Sequence, residues 1–505
     1  GGTGWPGMQT AEGVRASNRQ TLALAHTAWE VTEALLRGSV GAVLNKLERP
    51  REGVVLFNPL PWERREVARF AVPEKHRGRA LTNPGAALPY PTAAAADASL
   101  ECLVDLPAFG YRRLEWSSLA FGVTPDVLAE GNRIENEFYR VTADPQSGSV
   151  CSILHKPSGR ELVPATGGLA GAWTGSHREL FLGGMKAAPL PAVVRAVRDG
   201  LAASLRFERP GTWYPDTEVR LYPGLDRVEV YATLDRAAMP FVPLARHSDA
   251  YLLAFPFSGE TPAAFLIDTP AGFLSPPNDS LPGGASAVQA AQQSVHLRLS
   301  KDFGVTLAAR ETALWLPGAP RTGGVLSSER KPLFFSYVLS LAHQGQTKDQ
   351  GTVTFRETEP GSDPIVRCVY ALRAEPGPFD AGAASRFGAE FSSPPLAREV
   401  ELPFGPASGP LKESSGAFLR LQPANVRWLT LKRAESGEPD TYIFRFQEVA
   451  GRTASAVCHT SFPLEAAVAV DLREEPVGTE ALAVNPLRVA LKPWQVVSVR
   501  ARVRR

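Results

Sequence analysis

The sequence predicts a mainly β protein in which several antiparallel β-sandwiches follow a short helical segment. Three observations support this fold class. Apolar residues recur with period two at many places after residue 50, and only one segment shows sustained helical periodicity. The 44 glycines and 44 prolines are spread through the 505 residues, which suits many short strands joined by turns. Helical crossovers between strands are not visible, so α/β barrels and Rossmann folds are disfavoured.

One amphipathic helix is predicted near the start, over residues 11–37. This stretch contains no proline, and its apolar residues recur at helical spacing: Leu22, Leu24, Ala25, Ala28, Trp29, Val31, Leu35 and Leu36. Thr10 can cap the beginning of the helix, with Glu12 in its first turn, and Gly38 can end it. The width of the apolar stripe predicts a largely buried helix, whose packing partners would lie upstream.

After residue 50 the apolar pattern predicts strands. The short run Val54-Val55-Leu56-Phe57 is closed by Asn58-Pro59. Three stretches alternate apolar and polar residues: 228–231, 295–299 and 497–503. Such alternation indicates sheets with one face buried and one face in water, as in antiparallel β-sandwiches.

Composition predicts where the domains meet. A chain of 505 residues fits three or four domains of ~100–200 residues each. Residues 84–98 resemble a long loop, residues 116–131 a connection, and the proline-rich and glycine-rich residues 403–416 a linker. We predict a remnant of a helical domain at 1–50, a small β domain at 51–118, a large β-sandwich at 119–402 and a small terminal β-sandwich at 403–505.

The first residues, GGTGWPG, contain no initiator Met, no basic stretch and no apolar stretch. They therefore match neither a signal peptide nor an intact translation start. We interpret the chain as a fragment of a longer protein.

Charge and cysteine content exclude several classes of protein. Lys and Arg number 54 against 52 acidic residues, and no basic run with interleaved aromatics occurs, which argues against a nucleic-acid partner. No window approaches the ~20 apolar residues of a membrane span, so no membrane partner is expected. The four cysteines lie far apart, which predicts buried thiols, a reducing compartment and hence a cytoplasmic location: Cys102, Cys151, Cys368 and Cys458. A homo-oligomer remains open.

The sequence contains no recognisable metal or nucleophile motif. Its eight histidines are scattered, with no H-E-x-x-H or H-x-H pattern. Cys458 and His459 are adjacent, but neighbours on a strand point to opposite faces and cannot share a metal. The P-loop and the G-x-S-x-G elbow are also absent. We therefore assign no catalytic residue and no metal ligand to this chain.

Two carboxylates could in principle hydrolyse a glycoside. With 52 acidic residues, however, no pair can be chosen from the sequence. Five tryptophans could stack on sugar rings, although a core position is the expected role of most: Trp5, Trp62, Trp173, Trp213 and Trp428.

An ordered series of segments resembles the C-terminal half of the α-mannosidases of glycoside hydrolase family 38. The segments follow the family's order at residues 56–64 (LFNPLPWER), 106–111 (LPAFGY), 134–141 (IENEFYRV), 148–153 (GSVCSI), 159–162 (GREL), 254–257 (AFPF), 279–283 (DSLPG), 302–308 (DFGVTLA), 386–388 (RFG), 395–396 (PL) and 448–451 (EVAG). Each segment shapes the scaffold of the family, and none of them is part of its active site.

The resemblance implies a retaining glycoside hydrolase that acts on α-mannosides, with a large central sandwich of the galactose-mutarotase-like type. In the family, the aspartate nucleophile, the acid/base aspartate and most of the zinc site belong to an N-terminal α/β barrel. Zn²⁺ is therefore expected in the intact enzyme and not in this chain, which would brace the missing barrel and help to form the sugar pocket. Residues 340–345 (SLAHQG) depart from the asparagine-tryptophan-rich strand of many relatives, so no substrate contact is carried over from it.

The resemblance also singles out Trp5. The preceding residues, Gly1-Gly2-Thr3-Gly4, are similar to the glycine-threonine turn that follows a zinc-binding histidine in relatives. We expect Trp5 either to line the sugar pocket as a substrate-binding residue or to pack against the missing domain.

Two other functional classes stay open. A free-standing, non-catalytic carbohydrate-binding β module would bind sugar without zinc, and would be favoured if the gene began near Gly1. A self-sufficient hydrolase would carry a catalytic carboxylate pair roughly 5–9 Å apart in a deep pocket of the large sandwich.

Overall fold

The structure of the chain is a computed structural model. It describes residues 11–47 and 52–504 except for 87, 121–125, 165, 177–185, 189, 240–248, 262, 277, 282–286, 319, 322–324, 327–329, 342, 345–352, 355–362 and 401–410. Thr10, Trp5 and most of the linker predicted at 403–416 lie outside the described residues.

Helix α1 is longer and more exposed than the sequence predicts. It spans Ala11–Leu44 and continues through Gly38, which does not end it. Trp29 and Leu35 are 60% and 67% exposed, and burial begins only in the last turns, around Val40. The prediction of a largely buried helix is wrong for this chain, because the described residues offer the apolar stripe nothing to pack against.

The first β domain has two antiparallel layers. Its strands are β1 (Gly53–Asn58), β2 (Arg64–Ala71), β3 (Arg79–Thr82), β4 (Thr92–Ala94), β5 (Ser99–Leu106) and β6 (Gly110–Ala120), with a 3₁₀ turn at Glu74–His76. One layer has the order β3-β6-β1 and the other the order β2-β5-β4. Their inner faces pack a core around Leu56, Cys102 and Leu114. The residues 84–98, predicted to form a loop, thus contain the short strand β4.

The large β-sandwich follows. Its strands are β7 (Leu128–Glu130), β8 (Arg133–Glu135), β9 (Tyr139–Asp144), β10 (Ser149–His155), β11 (Arg160–Glu161), β12 (Gly171–Ser176), β13 (Lys186–Ala187), β14 (Val193–Asp199), β15 (Ala202–Glu208), β16 (Asp216–Leu221), β17 (Val228–Asp235), β18 (Asp249–Pro256), β19 (Ala264–Thr269), β20 (Gly272–Leu274), β21 (Gln289–Ala290), β22 (Ser294–Ser300), β23 (Phe303–Ala309), β24 (Leu314–Pro317), β25 (Pro320–Arg321), β26 (Val325–Leu326), β27 (Leu333–Leu341), β28 (His343–Gln344), β29 (Val353–Thr354) and β30 (Ile365–Pro376). A second 3₁₀ turn lies at Arg236–Ala238.

Two of the sheets in this unit enclose its core. A nine-stranded sheet has the order β14-β15-β16-β17-β30-β23-β22-β19-β20, and a six-stranded sheet has the order β13-β12-β18-β27-β24-β21. Buried residues of both sheets share one core, including Val230, Phe255, Leu297 and Phe334. A five-stranded sheet, β11-β10-β9-β8-β7, contributes Ile134, among others, to the same core.

The chain then returns to the first β domain before it forms the terminal sandwich. Helix α2 spans Ala381–Ser392, β31 spans Leu396–Val400 and β32 spans Ser415–Ala417. Strand β31 pairs with β1, and β32 pairs with β6, both antiparallel. The sheet of the first β domain is therefore completed by residues about 300 positions later in the sequence.

The terminal sandwich contains eight strands in two antiparallel sheets. They are β33 (Leu419–Gln422), β34 (Val426–Arg433), β35 (Thr441–Glu448), β36 (Ala454–Thr460), β37 (Leu464–Val470), β38 (Pro476–Ala481), β39 (Leu487–Leu491) and β40 (Val496–Val503). The sheet orders are β33-β36-β39 and β34-β35-β40-β37-β38. Cys458 is buried and His459 exposed on β36, so the two side chains face opposite ways as predicted.

The motif at 448–451 closes a turn of this sandwich. The buried carboxylate of Glu448 accepts hydrogen bonds from the backbone N–H groups of Ala450 (2.7 Å), Gly451 (2.8 Å) and Trp494 (3.1 Å). Gly451 has a φ of +69°, and a Cβ there would lie 2.5 Å from the Trp494 ring. This glycine is required by both backbone conformation and space.

The mainly β, antiparallel fold predicted from the sequence is confirmed. All strand ladders described above are antiparallel, and the two helices lie outside them. The four cysteines are free, and three of them are buried. Among the described residues, no helix is both long enough and apolar enough to cross a bilayer.

Candidate functional site

A polar pocket lies between the first β domain and the nine-stranded sheet of the large sandwich. Its cavity volume is about 100 Å³, it opens to solvent, and it is lined by Glu66, Val67, Arg69, Tyr222, Arg227, Glu229, Tyr231, Arg310, Pro394 and Pro395. Domain interfaces are common places for ligand pockets. This pocket combines charged groups with open space, so we treat it as the candidate site.

Strand periodicity directs the charged residues into this interface. On β2, Arg64, Glu66 and Ala68 are buried, while Arg65 is exposed. On β17, Val228 and Val230 face the sandwich core, whereas Glu229 and Tyr231 face the first β domain. Glu229 is only 3% exposed. The polar face of residues 228–231, predicted to be in water, is therefore covered by a second domain.

Arg227 joins two buried carboxylates. Its Nη1 and Nη2 donate to the two oxygens of Glu66 at 2.9 and 2.6 Å, and its Nε donates to Glu229 at 2.7 Å. The Tyr231 hydroxyl donates to the other Glu229 oxygen at 2.6 Å, and the Val67 N–H donates to Glu66 at 2.9 Å. The side chains of Glu66 and Glu229 are 5% and 3% exposed, so this ion-paired cluster is almost dry.

The electrostatics of the cluster argue against acid/base catalysis. Burial acts to raise the pKa of Glu66, but the charges of Arg227 and Arg64 outweigh it, and the pKa lies below its ordinary value. The same carboxylates hold the pKa of Arg227 well above its ordinary value despite burial. Glycoside hydrolysis needs one carboxyl group that is protonated at working pH. Glu66 cannot serve as that acid, because it is ionised and bound to Arg227.

A third buried carboxylate anchors the same interface. Glu101 on β5 accepts hydrogen bonds from the Leu201 N–H at 2.9 Å and from the Tyr222 hydroxyl at 3.0 Å. Burial raises the pKa of this carboxyl against those bonds. Gly200 has a φ of +62°, and a Cβ there would lie 2.3 Å from Glu101. The turn at Gly200 thus accepts the Glu101 side chain only because it carries no side chain of its own.

Arg310 borders the pocket in a different way. Its Nε donates to the Phe391 carbonyl at 2.8 Å, and its guanidinium lies 4.4 Å from the centroid of the Phe391 ring. No carboxylate pairs with it in the described part of the chain. The residue is exposed and lines the pocket.

The tryptophans considered from the sequence do not meet at this pocket. Trp5 lies outside the described residues, so its predicted role stays a prediction. Trp62 donates to Glu390 at 2.7 Å, Trp428 donates to the Thr430 carbonyl at 2.8 Å, and Trp213 is 7% exposed. Trp173 packs edge-on against Phe335. These four act as packing residues.

The charged residues of the pocket are the ones that sequence reasoning missed. Their signal in the sequence is weak: β17 carries Glu229 and Tyr231 at alternate positions between apolar residues, and β2 carries Glu66 in a strand that also contains Val67 and Ala68. The sequence does not show that the two strands face each other. Ser340 and Leu341 end β27, and His343 and Gln344 form β28, whereas residues 342 and 345 lie outside the described residues.

The described residues do not form a metal centre. No group of three or more His, Cys, Asp and Glu side chains among them could hold an ion. A catalytic zinc site needs three protein ligands and an open position. This part of the chain therefore does not fit the zinc that the family resemblance implies for the intact enzyme.

Comparison with known proteins agrees with the resemblance stated from the sequence. Residues 425–499 match the family model described as the glycosyl hydrolases family 38 C-terminal beta sandwich domain. The match covers the body of the terminal sandwich, from β34 to β40. Among curated proteins, none matches this chain.

Solved structures extend the likeness of fold to almost the whole chain. An α-mannosidase from Enterococcus faecalis V583 is 15% identical with a TM-score of 0.70, covering 96% of this chain and 60% of its own. A protein in glycosyl hydrolase family 38 from Enterococcus faecalis is 14% identical with a TM-score of 0.69, and the match covers 95% of this chain and 62% of that protein. A galactose mutarotase-like protein from Lactobacillus casei ATCC 334 covers 49% of this chain at 13% identity, with a TM-score of 0.28. The chain thus spans about three fifths of the length of the two family 38 structures that it matches.

Proposed function

We propose that this chain is the C-terminal β-domain portion of a retaining glycoside hydrolase that acts on α-mannosides. The observation that carries the proposal is the fold shared with an α-mannosidase over 96% of the chain, at a TM-score of 0.70. The family 38 model at residues 425–499 supports it independently. The matched α-mannosidase is longer, and its additional length would correspond to a catalytic barrel.

The proposed role of the chain is to brace that barrel and to help form the sugar pocket. The exposed stripe of α1 supports the first part, because Leu22, Trp29 and Leu35 are 59–67% exposed on a 34-residue helix. Such a stripe on a helix is stable when a neighbouring element covers it. Trp5, which precedes this helix, is proposed to line the sugar pocket.

In this proposal, zinc and the catalytic carboxylates belong to the barrel. The described residues contain no cluster of three ligands, and Glu66 is ionised and paired with Arg227. The chemistry of sugar cleavage is therefore proposed for residues outside this chain, and the β domains position those residues.

The direct test compares two proteins. Purified residues 1–505 are expected to release nothing from an aryl α-mannoside and to hold less than one equivalent of zinc after dialysis. A longer protein that includes the segment encoded upstream is expected to release mannose with retained anomeric configuration, and to lose activity on chelation. Stoichiometric zinc and chelator-sensitive turnover by residues 1–505 would contradict the proposal. So would mannoside binding by a full-length gene product that has no hydrolytic activity, which is the behaviour of a carbohydrate-binding module.

A second prediction tests the bracing role of α1. Leu35→Glu is expected to leave the melting temperature of residues 1–505 almost unchanged, because Leu35 is 67% exposed there. In the longer protein the same change should lower the melting temperature by several degrees, since it places a charge in a covered apolar contact. His26→Glu is the matched control and should be nearly silent in both, because His26 is 71% exposed and lies one turn from Glu30. Equal behaviour of the two variants in the longer protein would show that nothing covers the stripe.

A further inference from the structure

Every carboxylate oxygen in the pocket described above already accepts at least one hydrogen bond from the protein. Both oxygens of Glu66 accept from Arg227, and one of them also accepts from Val67. The two oxygens of Glu229 accept from Arg227 and from the Tyr231 hydroxyl. A ligand that needed carboxylate acceptors would have to displace bonds that are already made in a dry environment.

The arginines of the pocket differ in how many of their N–H groups are already bound by protein acceptors. Arg227 is bound to Glu66 and Glu229. Arg69 donates to Asp97 and Ser99 at 2.8 Å and lies 3.7 Å from Glu101. Arg310 has one bond, from Nε to the Phe391 carbonyl, and its Nη1 and Nη2 have no partner among the described residues. The uncommitted donors of the pocket therefore sit on one guanidinium.

Ion pairing agrees with this. The other two arginines that line the pocket have carboxylate partners: Arg227 has Glu66 and Glu229, and Arg69 has Asp97 and Glu101. Arg310 also lines the pocket and has no carboxylate partner among the described residues. A negatively charged group of a ligand would supply one.

Arg310 is also held in place before any ligand arrives. Its Nε bond and its stacking on Phe391 fix the plane of the guanidinium. Pro394 and Pro395 form a neighbouring wall that has no backbone N–H and little conformational freedom. A fixed guanidinium loses less side-chain entropy on binding, and its fork matches the two oxygens of a carboxylate or phosphate.

We propose that this interdomain pocket binds a small oxyanion, a carboxylate or a phosphate ester group, through paired hydrogen bonds from Nη1 and Nη2 of Arg310. The proposal goes beyond the function proposed above, because it rests on the residues of this pocket alone and requires neither the barrel nor zinc. The shared chemistry of the ligand is a planar or tetrahedral group with at least two acceptor oxygens and a net negative charge.

The experiment is isothermal titration calorimetry of residues 1–505 with sodium phosphate and, separately, with sodium acetate. Sodium chloride at equal ionic strength removes the contribution of screening. We expect saturable binding of at least one oxyanion, and a loss of affinity of about tenfold or more in Arg310→Gln, since each bond to a charged group is worth roughly one to two factors of ten. Arg195→Gln is the matched control, because Arg195 is an exposed arginine at the edge of the same nine-stranded sheet.

The outcomes separate the possibilities. Binding of phosphate alone identifies a phosphate-type ligand, and binding of both probes identifies a general oxyanion site. Arg310→Lys keeps the charge without the fork and is expected to fall between the parent and Arg310→Gln, which keeps the test interpretable if the glutamine variant folds poorly. Absence of phosphate and acetate binding in the parent, or equal binding by the parent and Arg310→Gln, would overturn the proposal. None of these results bears on mannoside hydrolysis by the longer protein.

Discussion

Replacement of Arg427 by methionine is expected to lower the free energy of unfolding by about 3–5 kcal/mol, because it leaves a buried carboxylate without its counter-ion. Arg427 on β34 of the terminal sandwich donates to Asp268 of the large sandwich at 2.7 Å. It also donates to Gln292 at 2.8 Å and to Ser385 of α2 at 3.0 Å. The Asp268 side chain is fully buried. Urea denaturation followed by tryptophan emission measures the change as a shift of midpoint.

The loss of stability in Arg427→Met should depend on pH. Burial raises the pKa of Asp268, and Arg427 acts against that rise. Removal of Arg427 should raise the pKa further, so the variant can relieve the unpaired charge by taking up a proton. The folded variant then binds a proton that the unfolded chain does not bind near neutral pH, and its stability rises as pH falls. We therefore expect the difference in the free energy of unfolding between the parent and Arg427→Met to become smaller from pH 8 to pH 5.

A surface ion pair on the same sandwich provides the control. Arg420 pairs with Glu63 of the first β domain, and the two side chains are 46% and 61% exposed. Arg420→Met is expected to cost less than about 1 kcal/mol, with little dependence on pH, because solvent already screens that pair. If Arg427→Met were as mild as Arg420→Met, the buried contact would not hold the terminal sandwich to the large one.

The sequence predicts elements well where the signal is local. The run at 54–57 is a strand, the alternating stretches at 228–231, 295–299 and 497–503 are strands, and the helical period near the start is a helix. These features depend on neighbours within a few residues, which the chain carries in its own pattern. The resemblance to family 38 adds the order in which the sandwiches follow.

Helix α2 was not predicted, although the sequence carries a local signal for it. Asp380 caps it by accepting from the N–H groups of Gly382 and Ala383, and Ala384, Phe387 and Phe391 recur at helical spacing on its buried face. Two glycines within 12 residues weaken the intrinsic propensity and hide the pattern. The glycine at 388 is there for packing, because a Cβ would lie 3.0 Å from Gln293.

What lies between domains could not be predicted from a single sequence. Alternation at 228–231 shows that Glu229 and Tyr231 share a face, but not whether water or another domain covers that face. The same limit explains α1, whose apolar stripe is correctly placed and yet exposed in this chain. It also explains the candidate pocket, since Glu66 and Arg227 are separated by 161 positions and meet only because two domains dock.

The second large effect is expected at that docking surface. Replacement of Arg227 by methionine leaves Glu66 and Glu229, both nearly dry, without their shared counter-ion. We expect a loss of about 3–5 kcal/mol in the free energy of unfolding, because Glu229 loses its counter-ion and Glu66 keeps only Arg64, whose Nη1 lies 4.0 Å away. Thermal melting and urea midpoints should both fall. Arg140→Met is the control, because Glu135 keeps Lys156 at 2.8 Å when Arg140 is removed, and it should cost less than about 1 kcal/mol.

In the parent protein, the ion pair between Glu66 and Arg227 should make stability depend on pH in the acid range. The pKa of Glu66 in the folded chain lies below its ordinary value, because Arg227 and Arg64 outweigh burial. A carboxyl group of this kind adds stability above its unfolded pKa of ~4.3, and that stability is lost as pH falls towards the folded pKa. Acid titration below pH 5 should therefore weaken the parent more than Arg227→Met.

Rescue of Arg227→Met distinguishes charge from packing. In the parent protein, the Val67 N–H donates to Glu66 at 2.9 Å and the Tyr231 hydroxyl donates to Glu229 at 2.6 Å. Adding Glu66→Gln and Glu229→Gln removes the charge of both side chains and keeps a carbonyl oxygen to accept each of these bonds. The triple variant should recover more than half of the stability lost by Arg227→Met, since the largest cost of the single change is an uncompensated buried charge. A triple variant as unstable as the single one would mean that Arg227 acts through the shape and hydrogen bonding of its guanidinium. The same sample should still bind oxyanions at Arg310 if the two domains remain docked, so calorimetry with phosphate reports whether the interface itself survives.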